Sequence, residues 1–211
     1  MSSIRYALLS DGSSDKMLMP VLDWLLRRYC PRYALESQWS DLGRLLPLPP
    51  KKLPDRIRKT VELYEPDLLF IHRDAEKHSF ESRLREIKAA LAGQAHPPVV
   101  CVIPVRMQEA WLLFDEMAIR RAAGNPNGKR PLQLPAMATL ESLPNPKELF
   151  FSLICDASDL STTRLKKLRP QQRAHLVAQA IDDFEPLQGL PAFRALESEL
   201  SEVIMSMGWN L

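Results

Sequence analysis

Residues 67–76 read DLLFIHRDAE, and the rest of the chain is most easily read outward from them. Leu68, Leu69, Phe70 and Ile71 form an unbroken apolar run that leads through His72 into Arg73-Asp74-Ala75-Glu76. A run of buried-type residues without polar alternation suits a parallel strand covered on both faces. On the N-terminal side, residues 54–65 (PDRIRKTVELYE) predict a helix with Pro54 near its start. On the C-terminal side, residues 79–92 predict a helix capped by Ser79, and residues 98–104 (PVVCVIP) a second apolar strand. Residues 107–123 then predict one further helix. At the start of the chain, IRYALLS (4–10) reads as a strand and Asp11-Gly12-Ser13-Ser14-Asp15 as a turn bearing helix-capping residues. KMLMPVLDWLLRRYC follows with helical spacing, then a candidate strand at 33–39 and a Leu/Pro-rich loop at 44–54. Strands alternating with helices predict an α/β fold with a mostly parallel sheet flanked by helices.

The character changes after Gly124. Residues 124–146 hold five prolines and read as an ordered loop. Segments 146–156, 161–168, 170–183 and 191–207 read as helices, with Pro170 and Pro191 at plausible starts. The expected organisation is an α/β core over 1–123 and a helical C-terminal part over 124–211 packed on it.

Composition sets bounds on function. The chain has 211 residues, 45% hydrophobic and 26% charged, with a formal net charge of +2. These are the proportions of an ordinary globular protein, and the small net charge carries no nucleic-acid argument by itself. Cys30, Cys101 and Cys155 are odd in number and far apart, against a disulfide framework or a Cys-type zinc site. No run of 18 apolar residues exists and no cleavable leader is read at the start. The expectation is a cytoplasmic protein with no membrane contact.

Ligands of parallel α/β sheets sit beyond the carboxyl ends of the strands. The acids of this chain gather there: Asp11 and Asp15 after the first strand, Asp74 and Glu76 after the strand at 67–72, Glu109 after the strand at 98–104. Packed carboxylates repel one another unless a cation neutralises them. Mg²⁺ suits such a set, being a hard ion that takes oxygen ligands and keeps waters for a substrate phosphate; Mn²⁺ is the alternative. Each acid also has an ordinary reading, since an Asp after a strand is often a helix cap.

Taken together these stretches resemble a family. LLSDGSSDKMLMPVL (8–22) is similar to the opening of Toprim domains, and FIHRDAEK (70–77) looks like their acidic strand end. IPVRMQEAWLLFD (103–115) resembles a third motif. LPNPKELFF (143–151) and DFEPLQGLPAFRALESEL (183–200) resemble the C-terminal signature of the DUF4276 family, which is Toprim-like and related to the Toprim half of overcoming-lysogenization-defect nucleases. The resemblance spans almost the whole chain and lies in the order and spacing of short motifs. It implies a Toprim-like fold, Mg²⁺-dependent phosphodiester hydrolysis, and an ABC/AAA-type ATPase partner in antiphage defence. It further implies Asp11 as general base, acid or metal ligand, Asp74 and Glu76 as the metal-binding pair, and Glu109 as the acid of the third motif. Asp15 and Asp115 are weaker candidates. Asp11 stands where the family usually has Glu, and Glu76 where it has Asp.

Arg73 and Lys77 are candidate cations for the charge developing on a phosphate. His72 reads either as a proton carrier or metal ligand, or as a packed strand histidine. Trp24 and Trp111 read as core, and Trp209 as exposed. Basic residues cluster at Arg27, Arg28 and Arg32, at Lys51, Lys52, Arg56, Arg58 and Lys59, at Arg120, Arg121, Lys129 and Arg130, and at Arg164, Lys166, Lys167, Arg169 and Arg173. A phosphate backbone or a solvated helix face accounts for each cluster equally well. The expected function is a metal-dependent nuclease acting on nucleic acid, DNA ahead of RNA. The alternative is a non-catalytic Toprim-like subunit that binds an ATPase or nucleic acid; a phosphohydrolase acting on a small nucleotide is a third. A homo-oligomer is compatible with all of them. The chain has no glycine-rich Walker loop, so it is not read as an ATPase itself.

Overall fold

A computed structural model describes residues 2–210. Its sheet has four strands: β1 (Ser3–Leu9), β2 (Ala34–Trp39), β3 (Leu68–His72) and β4 (Val99–Val102). They lie in the order β2-β1-β3-β4, and every pairing is parallel. The register sets Leu8 beside Phe70, Leu9 beside Ile71, and His72 beside Val102. The chain is therefore α/β with a parallel sheet flanked by helices.

The helices are α1 (Met19–Tyr29), α2 (Leu42–Leu45), α3 (Leu53–Tyr64), α4 (Phe80–Leu91), α5 (Glu116–Ala123), α6 (Pro146–Ser158), α7 (Thr162–Leu165), α8 (Pro170–Ala180) and α9 (Pro191–Met207). Pro sits in the first turn of α1, α3, α6, α8 and α9, where its missing N–H is not needed. Ser79 caps α4 by accepting from Ser82 N at 3.2 Å.

The two faces of the sheet carry separate apolar clusters. Tyr6, Leu8, Leu68, Phe70, Val100 and Val102 face α1, α5, α6, α8 and α9. Ala7, Leu9, Leu69, Ile71 and Cys101 face α3 and α4. The C-terminal helices thus share one hydrophobic cluster with the sheet. All five residues of β3 are buried, as two covered faces require. The edge of β4 is not left open: the Cys101 N–H donates to Glu199 of α9 at 2.8 Å.

Several expectations change. Residues 107–123 are not one helix: a 3-10 turn covers Gln108–Leu112, and α5 starts only at Glu116. Asp115 interrupts the segment because its carboxylate accepts from Ala118 N at 2.9 Å, so it caps α5. Within the 124–146 loop a 3-10 turn forms at Met137–Ser142. The segment 161–168 shortens to α7, and 170–183 ends at Ala180. Trp209 is half-buried against the larger cluster rather than exposed. Cys30, Cys101 and Cys155 are all unpaired thiols. Among the described residues no helix is long and apolar enough to cross a membrane.

The segment after β4 is anchored by Trp111, fully buried and edge-on to Phe193 of α9 with ring centroids 5.3 Å apart. Phe193→Ala is expected to destabilise the fold by about 3–5 kcal/mol in urea unfolding. Leu48→Ala, at a side chain 91% exposed, is expected to change it by less than about 0.5 kcal/mol.

Candidate metal centre

Side chains along a strand alternate between faces. In β1 the even positions Tyr6 and Leu8 face the larger cluster and the odd positions Ala7 and Leu9 the smaller. In β3 the even positions Leu68 and Phe70 and the odd positions Leu69 and Ile71 divide the same way. Carried past the strand ends, this alternation sends His72 and Asp74 toward the side of α6 and α9. It sends Asp11 and Arg73 toward the side of α3 and α4.

On the first side an acidic centre forms. The loop after β3 keeps pairing with the loop after β4: Arg73 N donates to Val102 O, Ala75 N to Pro104 O, and Glu76 N to Arg106 O, at 3.1, 3.1 and 2.9 Å. Glu76 and Arg106 both take left-handed backbone angles, with φ of 52° and 63°. This ladder sets Asp74 against the 3-10 turn that begins at Gln108. Asp74 Oδ1 accepts from Gln108 N at 2.9 Å, and Gln108 Nε2 donates to Asp15 Oδ1 at 2.6 Å. Asp15 also accepts from Gly12 N and Ser14 Oγ, at 2.9 and 3.0 Å. His72 is buried, and its Nδ1 lies 3.0 Å from the carbonyl of Val102. A carbonyl only accepts, so Nδ1 carries the proton and Nε2 faces Asp74 Oδ1 at 3.5 Å.

Glu109 is 1% exposed, and its Oε1 accepts no hydrogen bond. Lys147 of α6 brings its Nζ to 3.2 Å from that oxygen, close enough for an ion pair but without hydrogen-bond geometry. Gln108 Oε1 is likewise buried without a donor. Burial pushes the Asp74 carboxyl from 3.8 up to about 6. The charges of Glu109 and Asp15 push the same way, and His72 and the Gln108 N–H oppose them.

Asp11 and Glu76 are placed differently. Asp11 is half exposed and holds two arginines: Arg56 of α3 at 2.5 Å, and Arg73 at 2.9 Å through Oδ1 and 2.7 Å through Oδ2. Arg73 also reaches Glu86 of α4 at 2.9 Å. Glu76 is more than half exposed and lies 3.8 Å from Arg83. Both acids still border the cleft of ≈ 280 Å³ that contains Asp15, His72 and Asp74. Of the residues expected at the site, Asp15 and Asp74 line one cleft, Asp15 buried and Asp74 partly exposed, and the charge of the buried Glu109 acts on Asp74 from beside it. Asp11, Arg73 and Glu76 sit in ion pairs at its rim, and Asp115 is a helix cap. Lys77 is exposed.

Sequence reading missed Gln108 and Lys147. Gln108 had a signal, since it stands beside Glu109 in the 103–115 motif. Lys147 lies in the 143–151 motif, but its meeting with Glu109 depends on how α6 packs. Among the described residues no three His, Cys, Asp or Glu side chains share one point as a ready-made ion site. A hard divalent ion can be held by few protein ligands. Asp74 and Glu109 offer two carboxylates, and Glu109 Oε1 is a buried oxygen lacking a donor. Mg²⁺ is commonly held by one or two carboxylates, with waters and substrate phosphate completing its shell.

Comparison with known proteins finds no matching family model, no matching curated protein and no matching solved structure.

The raised pKa of Asp74 has a definite sign. Between pH 3.8 and about 6 the folded state holds this proton more tightly than the unfolded state, so stability falls as pH rises through that window. In EDTA, wild type is expected to lose about 2–3 kcal/mol relative to Asp74→Asn between pH 3.5 and pH 7.5, measured by urea unfolding of both.

Proposed function

We propose that the chain is a Toprim-like, Mg²⁺-dependent nuclease that hydrolyses nucleic-acid phosphodiesters with Asp74 and Glu109 holding the ion. The observation that carries this reading is the placement of Asp15 and Asp74 in one cleft at the carboxyl edge of a parallel sheet, with the charge of Glu109 acting on Asp74 and Glu109 Oε1 buried without a hydrogen-bond donor. When bound, the ion supplies an activated water and neutralises charge on the phosphate.

The side chains divide the remaining work. Asp15 fixes the Gln108 amide, and the Gln108 backbone N–H fixes Asp74. His72, locked through Nδ1, presents Nε2 toward Asp74 and can take up a proton there. Lys147, whose side chain is 44% exposed, supplies a cation beside Glu109. The ABC/AAA-type ATPase partner and the role in antiphage defence rest on the motif resemblance alone. One observation favours a non-catalytic subunit instead: among the described residues no three acids or histidines already converge on one point.

Cleavage separates the two readings. Plasmid and single-stranded DNA are incubated with the protein, alone and with any ATPase encoded beside it, in Mg²⁺, Mn²⁺ or EDTA. Wild type is expected to cleave with metal only. Asp74→Ala and Glu109→Ala abolish cleavage, and Lys147→Ala lowers its rate by about 10²-fold. Metal-independent behaviour, or equal activity in Asp74→Ala, sinks the nuclease reading.

A further inference from the structure

Asp11 stands between the acidic centre and a second cleft of ≈ 420 Å³, which is also lined by Gly12, Trp39, Lys51 and Arg56. One oxygen of Asp11, Oδ1, receives Nη1 of Arg56 at 2.5 Å and Nη1 of Arg73 at 2.9 Å. Two guanidinium groups from different elements therefore converge on one anionic oxygen. Their side chains are 15% and 20% exposed, whereas that of Asp11 is 49% exposed. The arginines are also held from behind, Arg56 by the carbonyl of Ser10 and Arg73 by Glu86. The carboxylate is the outermost member of the group. Asp11 makes no side-chain hydrogen bond to the acidic centre; its contacts are these arginines.

We infer that Arg56 and Arg73 form a phosphate subsite in which Asp11 is a built-in stand-in for the phosphate. A strand entering along the Lys51 side of the second cleft places one phosphodiester oxygen where Asp11 Oδ1 now lies. Asp11 swings into solvent, and the next stretch of the strand continues toward Asp74 through the cleft that Asp11 and Gly12 share. Arginine forks match phosphate oxygens in geometry and charge, so the exchange replaces one charge-assisted contact with another. The inference takes its ligand, a nucleic-acid strand, from the nuclease reading. It differs in assigning Asp11 to substrate gating and leaving the ion to Asp74 and Glu109.

The test measures binding without metal, so that it stands apart from cleavage. Fluorescence anisotropy of a labelled single-stranded oligonucleotide is followed in EDTA for wild type, Asp11→Asn, Arg56→Gln and Lys51→Gln. Asp11→Asn is expected to tighten binding about fivefold, because it removes the competing anion and keeps the side-chain shape. Arg56→Gln is expected to weaken it and to reduce the slope of log affinity against log salt by about 0.7. Lys51→Gln, at an exposed position where folding is not at stake, is expected to weaken it as well. Unchanged or weaker binding by Asp11→Asn, with its thermal midpoint intact, overturns the stand-in role. Unchanged binding by Lys51→Gln overturns the entry path. Inorganic pyrophosphate is the competitor. If it displaces the oligonucleotide at equal phosphate concentration, the ligand is a small phosphate compound and the strand assignment is overturned. Tightened binding by Asp11→Asn in a protein that never cleaves overturns the nuclease reading alone. Cleavage without that tightening overturns the subsite alone.

Discussion

The two-residue alternation of β1 and β3 governs where every charge at the carboxyl edge goes. Both strands are paired on both sides and covered on both faces, so neither can rotate or slip without burying the wrong set of side chains. The loop after β3 extends the constraint, because its N–H groups continue to bond to the loop after β4. Charges that are neighbours in sequence are thereby sorted to opposite sides. His72 and Asp74 meet Gln108, Glu109 and Asp15, while Arg73 and Asp11 meet Arg56 and Glu86.

This sorting makes the acidic centre tolerable and useful. Buried carboxylates cost free energy unless donors or cations attend them. Asp15 receives three donors and Asp74 receives the Gln108 N–H. Among the described residues Glu109 has Lys147 as its ion-pair partner, which the C-terminal half of the chain contributes. The same half pins the segment after β4 through Phe193 against Trp111, two residues beyond Glu109. The C-terminal helices thus close the apolar core and complete the electrostatics of the centre at once. On the other side of the sheet the arginines neutralise Asp11, so the two groups of charge do not repel across the shared cleft.

Much of the fold is legible in the sequence because its signals are local. The apolar runs at 68–71 and 99–102, Ser79 before α4, and the prolines opening α3, α8 and α9 each act within a few residues. Asp115 caps α5 in the structure, but the apolar stretch MQEAWLLF before it carries a helical pattern of its own, which hides the break in the sequence. In the structure that stretch is a 3-10 turn, its first residue Gln108 donating its N–H to Asp74. The gathering of Asp15, Asp74 and Glu109 follows from placing three strand ends on one edge. The diversion of Asp11 does not follow so easily. In a strand buried on both faces, hydrophobicity does not reveal which parity faces which helices, so the arginine partners of Asp11 were hidden. The approach of Lys147 to Glu109 links residues 38 positions apart through α6 packing, which no local pattern encodes.

The central claim is that the divalent ion belongs to Asp74 and Glu109 and not to Asp11. Crystals of the protein grown in Mn²⁺, with an anomalous difference map collected at the manganese edge, address it directly. The account predicts a peak within ligand distance of the Asp74 and Glu109 carboxylates, about 2.1–2.2 Å, with Asp11 still on its arginines or displaced into solvent. A peak coordinated by Asp11 and Glu76, or full Mn²⁺ occupancy elsewhere on the protein with none at this centre, would contradict it.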